Sequence, residues 1–273
     1  MLILQDAIPN KNTYDKPSLT EGLFLYYNSL MLTYLIPTAK EMTTPERAFK
    51  CPLPEKSKPI LAALLSLSEE ELAKAYHLKE EATLKEIERL QKIADASASS
   101  YFAYQLFNGL MYRYIERTDL SQEEENYLFE HVYITSSLYG VIPFNHKIAK
   151  HRLDFHTKVK VNGRSLKQYW RQDYDRFVTE DKVIVSLLSS EFEEVFSTDV
   201  KKLWISVRFM EEKAGQLKTH STISKKARGS FLTAAMKANC QSIENLKSLD
   251  FKGFRFHPEL SDKQTLTYIK KEA

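Results

Sequence analysis

Three short apolar runs set the tightest limits on the fold: Leu32-Thr-Tyr-Leu-Ile36, Val132-Tyr-Ile-Thr135 and Val183-Ile-Val-Ser-Leu-Leu188. Their β-branched and aromatic content reads as strand, and the second and third runs read as buried strands. Helical periods lie between them. Ile60–Ser66 predicts a first helix, and Ser68 begins a second as N-cap, with Glu71 at the capping-box position. Glu81–Ala94 follows with Leu84, Ile87 and Leu90 on one face, so about 60–94 reads as a helical hairpin. Further helices are predicted at Tyr101–Phe107, Gln122–Glu130, Leu166–Phe177, Glu191–Phe196 and Ile243–Leu249. Strands are predicted at Lys158–Val161, near Phe251–Phe256 and at Leu266–Lys270, with turns at Asn162-Gly163 and Ala214-Gly215, the latter inside a hairpin. Strand and helix alternate without a regular βαβ beat, which points to an α+β fold with a mixed central sheet. At 273 residues the chain can form one large domain or two small ones.

The charge pattern is uneven although the net charge is only +3. From Pro143 to Arg171 there are eight Lys or Arg and one acid, Asp154; from Lys213 to Ile243 there are six and no acid. Such segregation points to a face or cleft for a polyanion. Within the second window, Phe231, Leu232, Ala235 and Met236 have helical spacing, and Lys225, Lys226 and Arg228 fall where that helix is expected to begin. Cations in a first turn oppose the helix dipole. Stacking them there suggests a bound anion, for which helix N-termini are suited. A solvated basic turn is the equally weighted alternative.

Several chemistries are disfavoured. The chain has seven glycines and no Gly-rich loop, which excludes a P-loop and a dinucleotide fingerprint, and no Gly-x-Ser-x-Gly elbow is present. His146, His151 and His156 recur every five residues beside Asp154, a spacing that fits neither a helix face nor a strand face, so no metal is expected. Ser189, Ser190 and Glu191 directly follow a buried strand, where α/β proteins place functional polar groups; a satisfied helix cap is the commoner role. No catalytic constellation emerges. Cys51 and Cys240 stand far apart, as suits a reducing cytoplasm. No apolar run approaches the roughly 20 residues of a membrane helix, and no signal peptide is visible. Residues 1–30 lack periodicity and contain Pro9, Pro17 and Gly22, which suggests a dispensable extension with Met31 as a possible natural start.

Six ordered motifs carry a resemblance. They are Tyr34-Leu-Ile-Pro-Thr-Ala-Lys40, Phe107-Asn-Gly-Leu-Met-Tyr112, Ser137-Leu-Tyr-Gly-Val141, His151-Arg-Leu153, Leu187-Leu-Ser-Ser-Glu191 and Ser224-Lys-Lys-Ala-Arg-Gly229. From about Met31 onward the chain resembles the YaaA peroxide-stress family. The resemblance implies a cytoplasmic bacterial protein of the hydrogen peroxide response, folded as one compact α+β domain of the cantaloupe type over 31–273. It implies duplex DNA binding at a basic cleft and a helix-hairpin-helix, with no established catalysis and no cofactor. The matching positions are Lys40, Gly109, Tyr112, Tyr139, Gly140, Arg152, Ser189, Glu191, Lys225, Lys226, Arg228 and Gly229. The hairpin near 60–94 departs from that pattern because its turn lacks glycine.

Two functions are therefore expected to compete. In the first, Lys40, Arg152, Lys225, Lys226 and Arg228 contact phosphates of duplex DNA without reading sequence. In the second, Lys40, Tyr112, Arg152, Glu191 and Lys226 line the pocket of an enzyme acting on a nucleotide or nucleic acid. Convergence in a deep pocket favours the enzyme, and a broad basic groove favours the binder.

Overall fold

A computed structural model describes residues 30–271, so the expectation for residues 1–30 falls almost wholly outside the described residues. Thirteen strands occur among the described residues, numbered here in chain order. The first seven are β1 (Met31–Pro37), β2 (Ser100–Phe102), β3 (Val132–Ser136), β4 (Gly140–Pro143), β5 (Lys147–Ala149), β6 (Lys160–Val161) and β7 (Arg164–Ser165). The others are β8 (Lys182–Ser186), β9 (Ile205–Lys213), β10 (Gln216–Lys218), β11 (Asp250–Phe251), β12 (Phe254–Phe256) and β13 (Thr265–Lys270). Nine of them form one mixed sheet in the order β11-β12-β13-β9-β8-β1-β3-β4, with β10 paired to β9. The three apolar runs become its centre: β1 runs parallel to both β3 and β8, in the register Tyr34↔Val132 and Tyr34↔Val185. β9 and β13 continue the parallel set, while β4, β10, β11 and β12 pair antiparallel at the margins. The α+β expectation with a mixed central sheet holds.

Helices cover both faces because alternate strand residues point to opposite sides. Tyr34 packs its ring 6.3 Å from Tyr127 and 6.4 Å from Phe231, on helices Gln122–His131 and Ser221–Lys237. Tyr133, one position out of phase, packs 4.8 Å from Phe177 on helix Leu166–Phe177. Phe209, Phe231, Phe251, Phe254 and Tyr268 close the first face as an aromatic cluster. The central parallel strands are accordingly apolar throughout, as strands buried on two sides must be.

The winding reverses at β1. The next parallel strand, β3, adds on one side, whereas β8, β9 and β13 add on the other. The loops that leave the carboxyl ends of β1 and β8 therefore open side by side, the position where open sheets leave a crevice.

Local signals placed most elements well. Ser68 and Glu71 form the expected capping box, and Leu166–Phe177 is helical over the predicted span. The Asn162-Gly163 and Ala214-Gly215 turns take positive φ at both residues, the geometry of tight hairpins. Four expectations need correction. Tyr101–Phe107 splits: Ser100–Phe102 pairs with β5, and only Ala103–Leu106 is helical. The strand expected at Lys158–Val161 shrinks to Lys160–Val161. In helix Glu80–Ala94 the buried residues are Thr83, Glu86, Leu90 and Ile93, while Leu84 is 50% exposed. The basic helix begins at Ser221, a turn earlier than expected, which changes how its cations are read.

Candidate functional site

The crevice at the carboxyl ends of β1 and β8 is a cavity of about 400 Å³. Five separated segments wall it: residues 37–42 after β1, 107–113, 151–154, 189–192 after β8, and the basic helix through Lys225 and Arg228. The first two segments are laced together. Met42 bridges Phe107, Asn108 donates its backbone N–H to the Glu41 carbonyl at 2.8 Å, and Tyr112 donates its hydroxyl to the Pro37 carbonyl at 2.9 Å. Two glycines permit the close approaches. A Cβ on Gly109 would stand 2.6 Å from the Ala39 Cβ, and one on Gly229 would stand 2.3 Å from the Met111 carbonyl oxygen.

The helical hairpin holds the third segment. Glu86 is fully buried, accepts the Arg152 backbone N–H at 2.8 Å, and pairs with Arg89 at 2.8 Å. An acid at a core-facing helix position is costly unless it is bonded, and here it anchors the loop that carries Arg152. The turn of this hairpin manages without glycine because His77 itself adopts φ 53°.

The cavity's lining contains five cations and three carboxylates. Lys40 pairs with Asp154 at 2.5 Å, Arg113 with Glu41, and the third carboxylate, Glu191, lies 3.1 Å from His156 Nε2. Asp154 also accepts from Thr157 and from the His156 backbone. Burial pushes its pKa upward, but Lys40 and these donors outweigh that and hold it below the usual carboxylate range. Glu191 is raised, by burial first and then by the Asp154 charge. With every lining carboxylate partnered, Arg152, Lys225 and Arg228 remain without an ion pair among the described residues. Arg228 is half-buried, its Nε is shut off from solvent with no hydrogen-bond partner, and burial lowers its pKa against the pull of Glu193.

His151 completes the wall. It is 3% exposed and its Nδ1 lies 2.9 Å from the Ala149 carbonyl, so Nδ1 carries the proton and Nε2 keeps its lone pair. Burial drops its pKa to about 4, partly offset by that hydrogen bond.

The structure brings together eight of the twelve motif positions: Lys40, Gly109, Tyr112, Arg152, Ser189, Glu191, Lys225 and Arg228 all line the cavity. Gly229 supports it from behind. Lys226 does not join them; its ammonium stands 5.5 Å above the Tyr114 ring. Tyr139 and Gly140 lie behind the wall. The Tyr139 hydroxyl accepts the Ala149 N–H at 3.0 Å while its ring lies 5.3 Å from His151, and a Cβ on Gly140 would meet Trp170 at 2.9 Å. Tyr112 is a buried strut whose hydroxyl is already committed. Ser189 is the N-cap of Ser190–Glu193, yet its side chain makes no capping bond, contrary to the satisfied cap expected of it. Lys225 and Arg228 sit within the helix rather than at its amino terminus, so no opposition to the dipole needs explaining.

The basic windows are less uniform in space than in sequence. Lys167 pairs with Glu194, Lys237 with Glu116 and Glu124, and Arg171 donates to the Glu194 and Val195 carbonyls. No group of three or more His, Cys, Asp or Glu among the described residues could hold a metal; His146 and His151 both pack against Tyr139, while His156 lies beside Glu191. Asp154 and Glu86 escaped selection as site residues. Glu86 left a signal, an acid in phase with Thr83, Leu90 and Ile93.

No helix among the described residues is long and apolar enough to cross a membrane. The family described as peroxide stress protein YaaA matches residues 31–260. The UPF0246 protein spyM18_2163 of Streptococcus pyogenes serotype M18 is 58% identical over 243 residues, 89% of this chain and all of the relative. The UPF0246 protein MGAS2096_Spy1821 of serotype M12 is 57% identical with the same coverage.

Proposed function

The chain belongs to the YaaA peroxide stress family, and from that premise we propose that it serves the peroxide response by binding duplex DNA through phosphate contacts around this crevice. The observation that carries the reading is the meeting of the two basic windows. Arg152 comes from one, Lys225 and Arg228 from the other, and none of the three makes an ion pair among the described residues. Phosphate contacts carry no sequence information, so binding is largely sequence-independent.

A salt titration on two unrelated duplexes tests this. Each phosphate neutralised on duplex DNA contributes a log–log slope of about −0.9. Replacing Arg152 and Lys225 with alanine should weaken both duplexes alike and reduce the slope by about 2, near one per lost contact. A loss of affinity with an unchanged slope would place these residues away from phosphates. Lys79→Ala in the hairpin turn should change affinity by less than about threefold, under 1 kcal/mol. That residue is exposed beside Glu80 and Glu81, and the hairpin's visible task is to hold Arg152. A tenfold loss would show that the hairpin grips DNA directly.

An enzyme acting on a nucleotide or nucleic acid is the second reading. Lys40, Tyr112, Arg152 and Glu191 share one concave site with a neutral histidine, although Lys226 lies outside it. Product analysis after incubation with mononucleotides and short duplexes separates it from simple binding.

A further inference from the structure

We infer that the crevice receives a single nucleotide ending in a phosphomonoester, either free or as the phosphorylated end of a DNA strand, with its phosphate on Arg152, Lys225 and Arg228. The inference rests on the phosphate-binding reading and narrows it to one kind of phosphate.

Size is the first argument. A cavity of about 400 Å³ falls in the range of small-molecule sites, roughly 300–1,000 Å³, and cannot enclose a stretch of duplex. Depth is the second. Lys225 is exposed and within reach of any backbone phosphate, but Arg228 is half-buried and its Nε has no contact with solvent. An internal phosphodiester is held on both sides by sugars and stays on the outside of the duplex. Only a ligand with a free end can bring an anion to Arg228. A guanidinium left unpaired in such surroundings costs free energy until an anion meets it.

Charge supplies the third argument. A phosphomonoester carries nearly two negative charges at neutral pH, its second pKa being about 6, and three acceptor oxygens. Lys40 and Arg113 offset the charges of Asp154 and Glu41, while Glu191 accepts the Phe155 backbone N–H at 3.1 Å and lies beside His156. Three cations that make no ion pair among the described residues match such a group better than the single charge of a diester. The next residue, Gly229, lets the helix approach the Met111 carbonyl closely, which sets how near Arg228 comes to the cavity wall. The rest of the cavity offers Met42, Leu110, Met111 and Phe192, which would contact sugar and base without reading the base edge.

Calorimetric titration of the full chain compares five probes: a short duplex with 5′-phosphates, the same duplex with 5′-hydroxyl ends, a closed dumbbell without ends, dTMP and thymidine. The phosphorylated duplex should bind at least about tenfold tighter than the dumbbell, near 1.4 kcal/mol. dTMP should bind where thymidine does not. Arg228→Met and Lys225→Met should each cut the preference for phosphorylated ends below about threefold. Lys225 is exposed, so its variant keeps the test valid if the Arg228 variant fails to fold. Equal binding of all three duplexes with no binding of dTMP overturns the inference and leaves the DNA reading standing. Binding of dTMP without any duplex supports the inference and overturns the DNA reading. Displacement of dTMP by inorganic phosphate at equal affinity assigns the site to the free ion and overturns the nucleotide. Binding of none of the probes overturns both.

Discussion

Gly229→Ala should destabilise the protein by about 3 kcal/mol, the upper part of the range for forcing extra atoms into a packed contact. The usual expectation is the reverse, since glycine inside a helix costs about 0.5–1 kcal/mol relative to alanine. Gly229 is an exception because of what faces it. A Cβ there would stand 2.3 Å from the Met111 carbonyl oxygen, 2.8 Å from the Tyr114 Cβ and 3.0 Å from the Tyr114 carbonyl carbon. Two of these are backbone atoms, so no side-chain rotation relieves the clash, and the helix must back away from segment 111–114. That movement strains Thr233, whose hydroxyl accepts the Glu116 N–H at 3.0 Å and donates to the Tyr114 carbonyl at 3.1 Å. It also shifts Met111 and Tyr112, so ligand affinity should fall together with stability. Urea unfolding of parent and variant measures the effect. A neutral or stabilising substitution would show that the helix and this loop do not approach so closely.

The second large effect is on acid stability. His151 is buried, and its pKa falls from about 6.5 to about 4 on folding. Its folded pKa lies below the unfolded value, so between these limits the unfolded chain holds a proton that the native protein does not. Stability from this residue is therefore complete above about pH 6.5 and is lost as the pH falls towards 4, a total of about 3 kcal/mol. His146, also lowered by burial, adds in the same direction. Glu191, raised by burial, contributes with the opposite sign. Substitution isolates the His151 part: His151→Gln should flatten the fall in unfolding free energy between pH 6.5 and 4 by about 3 kcal/mol relative to the parent. Parallel pH profiles for the two proteins would mean that the native state admits the imidazolium.

The two effects concern residues of different legibility. Gly229 belonged to the motif Ser224–Gly229 and so was singled out, but nothing in the residues near it tells of Met111 on the other side of the contact. His151 also lay in a motif, yet nothing in that motif tells that burial keeps its imidazole neutral. Leu84 and Glu86 make the same point. Helical spacing alone allowed Leu84, Ile87 and Leu90 as the inner face, and the hydrogen bond from Arg152 rotated the choice by bringing Glu86 inward.

What the sequence determined by itself is local or cumulative. Ser68 with Glu71, Asn162-Gly163, Ala214-Gly215 and the apolar periods of the central strands act through contacts a few residues apart, so capping, turns, the mixed sheet and the family were legible. Five of the six motifs also marked most residues of the crevice. Tertiary structure alone decided which of them form a site. Lys225 and Lys226 are neighbours in sequence, but the helix turns one into the crevice and lays the other on Tyr114. Lys167 and Arg171 spend their charge on the segment at Glu194–Val195, while Arg152 and Arg228 keep theirs. A cation is available to a ligand only when no nearer group has claimed it. The claimants here come from segments tens of residues apart, brought together by the reversal of winding at β1.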